Sequence, residues 1–514
     1  MPREANFTFD PANHEALAQA LQSRFDHVRQ TEESVEFDLL DTFDGRIFGA
    51  GAILAKRSDR YILEALMSGQ PIAALSVSRR VSFRFAGDFP ASPLADNLSA
   101  LIKMRALLPM AHVRRTRRVM GLLNADQKTV ARAVIDLYSL AETDETIGAC
   151  QLLAVKGYPK AHQVACEAVV DLVLPAQQPP IKALLAQNGT ALDSYSKKID
   201  LVLDPQASAT ETIRLILARL LTIMQVNQAG IIEDIDTEFL HDFRVASRKS
   251  RSLLSQVKGV LSPEVSSELQ GHLKQLGRMT NNLRDLDVYL LNKRHYAGML
   301  PVWLQPGLVP LFRSIQRRRR AAYLQVCRNM TKPEFEKALD TIRAITERDP
   351  AELNAKAGDG QSTLPVAQMV IAKTFRKLIK KGRRITAQSP DEALHKLRID
   401  CKKMRYLLEF FESLFPSETM TGLIKSRKNL QTLLGDFNDL SVQQTFLKTH
   451  LEAIRPTGAS ATLHTAATGG LISQLHQQQQ RLRQAFFAVF DQFDDTTVHR
   501  KFETICQSTS KEKH

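Results

Sequence analysis

Cysteine is scarce and scattered in this chain. The five residues Cys150, Cys166, Cys327, Cys401 and Cys506 are odd in number and include no CxxC pair. That argues against a disulfide framework and a cysteine zinc site, and fits small buried hydrophobes in a reducing compartment. Aromatics make up 6% of the chain and Trp303 is its one tryptophan, too few to interleave with basic positions as single-strand nucleic-acid binders require. No stretch reaches the roughly 18 consecutive apolar residues of a membrane span. The most apolar, 212–226, carries Arg214 and Arg219. The opening MPREANFTFDP has an acid and two prolines where a secretory leader has a basic start and an apolar run. These absences lead us to expect a cytoplasmic chain with no membrane partner, and they make nucleic acid an unlikely partner.

What is present is a globular composition, 44% hydrophobic and 24% charged over 514 residues, long enough for several cores. The formal net charge of +14 is unevenly placed. Residues 1–205 hold 23 Lys+Arg against 24 Asp+Glu, a balance of −1, and residues 206–514 hold 46 against 31, a balance of +15. An excess confined to one part of a chain predicts an anionic partner for that part.

The two parts also differ in pattern. Residues 1–205 carry short alternating or apolar segments (35–40, 46–54, 60–66, 72–84, 113–123 and 128–137) with helix candidates at 13–25 and 161–174, which predicts an antiparallel β domain. From 207 onward the period is that of amphipathic helices. Two stretches rich in small and polar residues, 349–363 and 456–470, read as loops, the first a hinge between halves at 210–346 and 364–508.

Those halves repeat one another at a separation of 154 residues. HDFRVASRKSRSLL (241–254) matches HKLRIDCKKMRYLL (395–408), placing His241 on His395, Arg244 on Arg398, Arg248 on Lys402, Lys249 on Lys403 and Arg251 on Arg405. Further along, LKQLGRMTNNLRDLDV (273–288) meets RKNLQTLLGDFNDLSV (427–442), with Lys274 on Lys428, Asp285 on Asp439 and Val288 on Val442. Two motifs in one register without a gap mark an internal duplication.

On a helix, positions i, i+3, i+7 and i+10 of the first motif fall within an arc of roughly 80°. His241, Arg244, Arg248 and Arg251 therefore share a face about 15 Å long, as do His395, Arg398, Lys402 and Arg405. Phe243, Ala246, Leu253, Leu254 and Val257 take the opposite side, as do Leu397, Met404, Leu407, Leu408 and Phe411 in the second copy. Like charges on one face repel unless an anion sits there, and a row of phosphates suits arginine forks and lysine point charges. Lys373, Arg376, Lys377, Lys380 and Lys381 of the second half, with Arg313, Arg317 and Arg320 of the first, are candidates to converge on the same ligand. In the arginine run 317–320 at most two side chains can face it. Asp285, Asp287 and Asp439 read as acceptors that hold an arginine in place. His241–Asp242 superficially resembles a metal-dependent phosphohydrolase signature, but the second copy reads His395–Lys396, and a cation cannot replace a ligand carboxylate. We expect no metal, cofactor or catalytic residue here.

The paired motifs resemble the CHAD domain, a module of two pseudo-symmetric helical bundles named for its conserved histidines. The resemblance rests on HxxRVxxRKxR (241–251) with LRDLDV (283–288), and on HKLRIxxKKxRY (395–406) with LLGDFNDLSV (433–442). It implies binding of inorganic polyphosphate through a basic surface, in some members at polyphosphate granules. It selects polyphosphate over nucleic acid, which charge and spacing alone do not. LLPMAHVRRTRRVMGLL (107–123), the strand ending at Asp136 and SYSKK (194–198) are similar to later motifs of a CYTH domain, a tunnel-shaped antiparallel barrel that binds triphosphate and metal. That resemblance implies an α+β chain of two domains, 1–205 barrel-like and 206–514 all-α. Where active CYTH members carry ExExK, this chain reads EANFT (4–8), having lost the second acid and the lysine. Binding without catalysis is therefore the leading expectation and a metal-dependent inorganic triphosphatase the alternative, with Arg115, Arg117, Lys128 and Lys197 as its remaining phosphate contacts.

Overall fold

The computed structural model describes residues 4–78, 81–141, 143, 145–187, 189, 195–353, 361–454 and 458–507, and its internal contacts divide the chain into two units between Ser196 and Lys197.

Among the described residues the N-terminal unit holds nine strands: β1 (Glu4–Phe9), β2 (His27–Asp41), β3 (Ala52–Lys56), β4 (Arg60–Ala65), β5 (Pro71–Ser76), β6 (Leu108–Leu123), β7 (Thr129–Leu140), β8 (Thr146–Ala154) and β9 (Leu174–Pro175). Their order is β5-β4-β3-β2-β6-β7-β8-β1-β9, every pairing antiparallel. The expected barrel is not closed: among the described residues no ladder joins β5 to β9, so the sheet keeps two edges. The helices that accompany it are α1 (His14–Gln22), α2 (Arg46–Gly49), α3 (Pro93–Ile102), α4 (Pro159–Val169) and α5 (Pro180–Gln187) among the described residues. The expected strand at 46–54 begins instead as α2. Gly45 takes a left-handed conformation there, and the buried carboxylate of Asp41 accepts from the backbone N–H groups of Thr42, Ile47 and Phe48, capping the turn before β3 can start. The apolar ends of β6 and β7 join α1 and α4 in a core of Leu17, Leu21, Met120, Leu122, Ile135, Cys150 and Leu152.

Helices make up the C-terminal unit. They are α6 (Ala209–Val226), α7 (Gln228–Ile232), α8 (Thr237–Gln256), α9 (Pro263–Leu291), α10 (Lys293–Gly298), α11 (Val309–Met330), α12 (Pro333–Glu347), α13 (Pro350–Leu353), α14 (Thr363–Gly382), α15 (Asp391–Phe410), α16 (Ser417–Ser426), α17 (Lys428–Glu452), α18 (Ala459–Phe493) and α19 (Thr496–Gln507). The separation of 154 found in the motifs governs the elements too: α6 and α14 start 154 residues apart, as do α8 and α15, and α9 and α16. Contacts recur in the same order, α6–α8 with α14–α15, α8–α9 with α15–α17, α9–α11 with α17–α18, and α6–α12 with α14–α19. Ser208 and Ser362, themselves 154 apart, form an isolated antiparallel bridge. The segment 209–232 has the length and hydropathy of a membrane span, with half of its most apolar window buried inside the unit; Ile213, Ile216, Leu217, Leu220 and Met224 are core residues.

One expected loop is a helix. Residues 459–470 open α18, and their small side chains serve close packing. A Cβ on Gly470 would meet Leu300 and Leu304 at 3.3 and 3.4 Å, and one on Gly307 would come within 2.5 Å of the Leu463 carbonyl oxygen. His464 Nδ1 hydrogen-bonds Gly307 O at 2.8 Å across this contact. Pro456 and its neighbour at 457, like 354–360 of the expected hinge, lie outside the described residues.

Candidate functional site

Helix α8 starts where Asp236 accepts from the Glu238 N–H at 2.8 Å and runs through the first motif. Phe243, Ala246, Leu253 and Leu254 are buried on one side, with Val257 just past its end, and Leu397, Met404, Leu407, Leu408 and Phe411 are buried likewise in and after α15. The core face is thus the one the periodicity assigns, and the cations are left for the other.

The two cationic faces meet. Helices α8 and α15 pack on each other, and Lys249 pairs with Glu409 at 3.0 Å across that contact. A groove of about 1330 Å³ within the C-terminal unit is lined by His241, Arg244 and Arg248 from α8, by Arg398, Lys402 and Arg405 from α15, and by Arg284 and Arg427 from neighbouring elements. Its lining holds ten Lys+Arg (197, 198, 244, 248, 249, 284, 398, 402, 405 and 427) against six Asp+Glu (200, 242, 285, 409, 412 and 439).

Some of these cations are held by fixed partners. Arg244 donates to Gly277 O, Thr280 Oγ1 and Asn281 Oδ1, and Arg398 to Asp439 Oδ1 at 3.2 Å. Burial lowers Arg244 to about 10, with Arg248 adding to the effect and Asp285 opposing it. Burial also lowers Lys402, to about 8, and the next contributors are Arg398 from its own half and Arg248 from the other. Burial followed by Arg284 holds His241 well below the ordinary imidazole range. The groove therefore confines positive charge that its own carboxylates do not offset, a state an anion relieves.

Of the sixteen candidate positions, six line this groove: His241, Arg244, Arg248, Arg398, Lys402 and Arg405. His395 lies outside the lining and hydrogen-bonds Asn438 Oδ1 through Nδ1. Arg251, Lys274, Lys428, Arg313 and Arg317 are exposed and do not line it, and the same holds for Lys373, Arg376, Lys377 and Lys380 of α14. Arg376 and Lys380 instead edge a second groove of about 740 Å³ beside Phe375 and Phe502, and Lys377 pairs with the buried Asp400. Asp287, read as an arginine holder, takes Arg319 at 2.9 Å together with Asp234. The duplication could not point to Arg284 or Arg427, because their counterparts in the other copy are Asn438 and Leu273.

In the N-terminal unit the arginines proposed for triphosphate are already paired. Arg115 donates to Glu64 at 2.7 Å with both side chains buried, and Arg117 to Asp136 at 2.7 and 2.8 Å. Burial alone would lower Arg115; the hydrogen bond it donates to Glu64 reverses that and raises it. The cavity beside Asp136 and Tyr138 holds about 30 Å³, room for one or two waters. Lys128 is exposed in the turn joining β6 to β7, and Lys197 belongs to the C-terminal unit.

Residues 215–448 match the family profile of the CHAD domain. The helical unit carries a CHAD domain. Two curated proteins from Mycobacterium tuberculosis, an uncharacterized protein of strain CDC 1551 / Oshkosh and another of strain H37Rv, are each 25% identical to this chain over 264 residues. The match takes in 50% of this chain and 48% of theirs, so the chain spans about half the length of the curated relatives it matches. The crystal structure of the CHAD domain from the plant Ricinus communis is 26% identical and aligns with a TM-score of 0.48 over 56% of this chain and 93% of that one. The CHAD match takes in both histidine motifs and both groove-lining faces.

Proposed function

We propose that the CHAD-containing unit is a clamp for inorganic polyphosphate that binds without catalysing a reaction. The observation that carries this reading is the convergence of α8 and α15 on one groove, where Arg248 of one half crowds Arg398 and Lys402 of the other. An extended anion with a charge on every unit offsets such a row along its length, and arginine suits its oxygens geometrically. The choice of polyphosphate rests on the association of the CHAD family with that polymer. In this reading the two halves are related by a pseudo-twofold axis through the Ser208–Ser362 bridge, because an isologous contact pairs a residue with its own counterpart. The protein then acts in the cytoplasm as a scaffold or as a component of polyphosphate or other storage granules.

The CYTH-like reading of the N-terminal sheet as a triphosphatase draws no support from its interior, where Glu64 and Asp136 neutralise the arginines and the cavity is small. A phosphate-release assay of the full chain with triphosphate and Mg²⁺ or Mn²⁺ is expected to give background rates.

Titration of the full chain with long-chain polyphosphate tests the clamp. Affinity is expected to fall steeply with salt, because bound cations release counterions. Arg248→Glu should weaken binding about a hundredfold, and Arg313→Glu, at an exposed position outside the groove, less than threefold. Equal effects of the two reversals, or an unchanged affinity in Arg248→Glu, would refute the reading.

A further inference from the structure

The two halves do not contribute equally to the groove. Where the first half has Leu273, at the start of the duplicated second motif, the second half has Arg427. Leu273 is a core residue, and Arg427 occupies the corresponding buried position at 8% exposure while also lining the groove. Its Nη1 donates to Gln431 Oε1, but its Nε is buried without a hydrogen-bond partner. Arg405 lines the same corner and pairs with Glu409, which also receives Lys249. One buried-side carboxylate thus faces three cations, Lys249, Arg405 and Arg427. Two positive charges are left over, one on the buried Arg427 and one on Arg405, whose side chain is 42% exposed. The remaining acid in the lining from this stretch, Glu412, is exposed.

An excess of two charges gathered around a buried guanidinium differs chemically from a stripe with charges spaced along a helix. A stripe suits internal phosphoryl groups, which carry one charge each. A corner with a free, buried guanidinium N–H suits a terminal phosphoryl group, which is close to a dianion at neutral pH because its second ionisation lies near pH 6. We propose that Arg405 and Arg427 form a subsite for a terminal phosphate dianion, so that the groove reads chain ends as well as chain length. This rests on the clamp reading above and adds a polarity to it: one end of the polymer sits at Arg427, and the stripes of α8 and α15 hold the internal phosphoryl groups.

The same chemistry is offered by a polyphosphate terminus, by pyrophosphate and by free phosphate. The test uses the full chain and four probes: linear tripolyphosphate, cyclic trimetaphosphate, which has the same number of phosphorus atoms and no terminal group, inorganic phosphate, and long-chain polyphosphate, in which ends are few. The variant is Arg427→Leu, the residue that fills this position in the first half. Wild-type protein is expected to bind the linear trimer at least tenfold more tightly than the cyclic one. Arg427→Leu should lose about tenfold for the linear trimer and less than twofold for the cyclic one. An unchanged helical circular dichroism spectrum and melting transition show that the variant is folded. If inorganic phosphate competes as well as the linear trimer does, the subsite is for free phosphate and the chain-end proposal is wrong. It is also wrong if linear and cyclic trimers bind equally, or lose equally in Arg427→Leu. Failure of wild-type protein to bind long-chain polyphosphate would overturn the clamp itself, an outcome distinct from the loss of end preference alone.

Discussion

Replacing Lys402 with methionine should stabilise the protein while weakening its binding, and the groove sets the size of both effects. Lys402 is lowered from 10.5 to about 8, first by burial and then by Arg398 and Arg248. At about 1.36 kcal/mol per pH unit, that displacement bounds the cost of keeping the ammonium charged at roughly 3 kcal/mol. Lys402 retains some exposure, so solvent screening reduces this to about 1–2 kcal/mol. The sign is fixed by linkage. Below pH 8 the lysine is protonated in both the folded and the unfolded chain, and the folded protein bears the full cost. Between pH 8 and 10.5 the folded state releases its proton first, the unfolded chain binds more protons, and stability rises with pH. Methionine keeps the length and packing of the side chain without the charge. Lys402→Met is therefore expected to raise the melting temperature of the helical signal by about 2–4 °C at pH 7, with the advantage vanishing by pH 10.5. Comparing variant and wild type at each pH cancels every other titrating group. In calorimetric titration, affinity for long-chain polyphosphate should fall about tenfold, and the decline of wild-type affinity above pH 8 should be absent from the variant. A variant no more stable than wild type at pH 7, or a difference unchanged between pH 7 and 10.5, would refute the view that the groove holds unrelieved charge.

Two further expectations concern what supports the groove. Asp287 is fully buried with Arg319 as its partner, so Arg319→Met should destabilise the helical unit by about 3 kcal/mol in guanidinium unfolding, and adding Asp287→Asn should restore part of that loss, because the cost lies in the stranded carboxylate. Gly307→Ala places a methyl group 2.5 Å from the Leu463 carbonyl oxygen and should cost about 1–3 kcal/mol, seen as a lower denaturation midpoint; an unchanged midpoint would mean that 302–308 does not pack on α18 as described.

How much of this was legible in the residues depends on which signal each feature leaves. The helical period marks a buried face directly, so the cores of α8 and α15 could be read position by position. Small residues carry two meanings, and at 459–470 the loop reading is the wrong one: Gly470 permits an approach by Leu300 and Leu304, and composition does not distinguish that from a loop. The β sheet was readable where strands alternate, as in β6 and β7. The cap that Asp41 places on α2 is a tertiary event, since its carboxylate must be buried before it can hold the N–H groups of Ile47 and Phe48.

The duplication reports only what both copies share, and this limits it at the site more than in the fold. It pointed to His241, Arg244 and Arg248 and, among their partners, to Arg398 and Lys402, which line the groove, because each half has its own cationic face. Charge alone, not the repeat, added Lys373, Arg376 and Arg313 to them, and α14 and α11 leave those side chains outside the groove. It was silent on Arg284 and Arg427, where the copies differ. A ligand that spans both halves breaks their equivalence, since its two ends meet different halves. The residues that recognise an end are then expected where one copy has departed from the other. Arg427 opposite Leu273 is such a departure, a buried cation where its twin contributes only to the core. Under the chain-end proposal, the copies agree where the polymer is held along its length, and they differ where it stops.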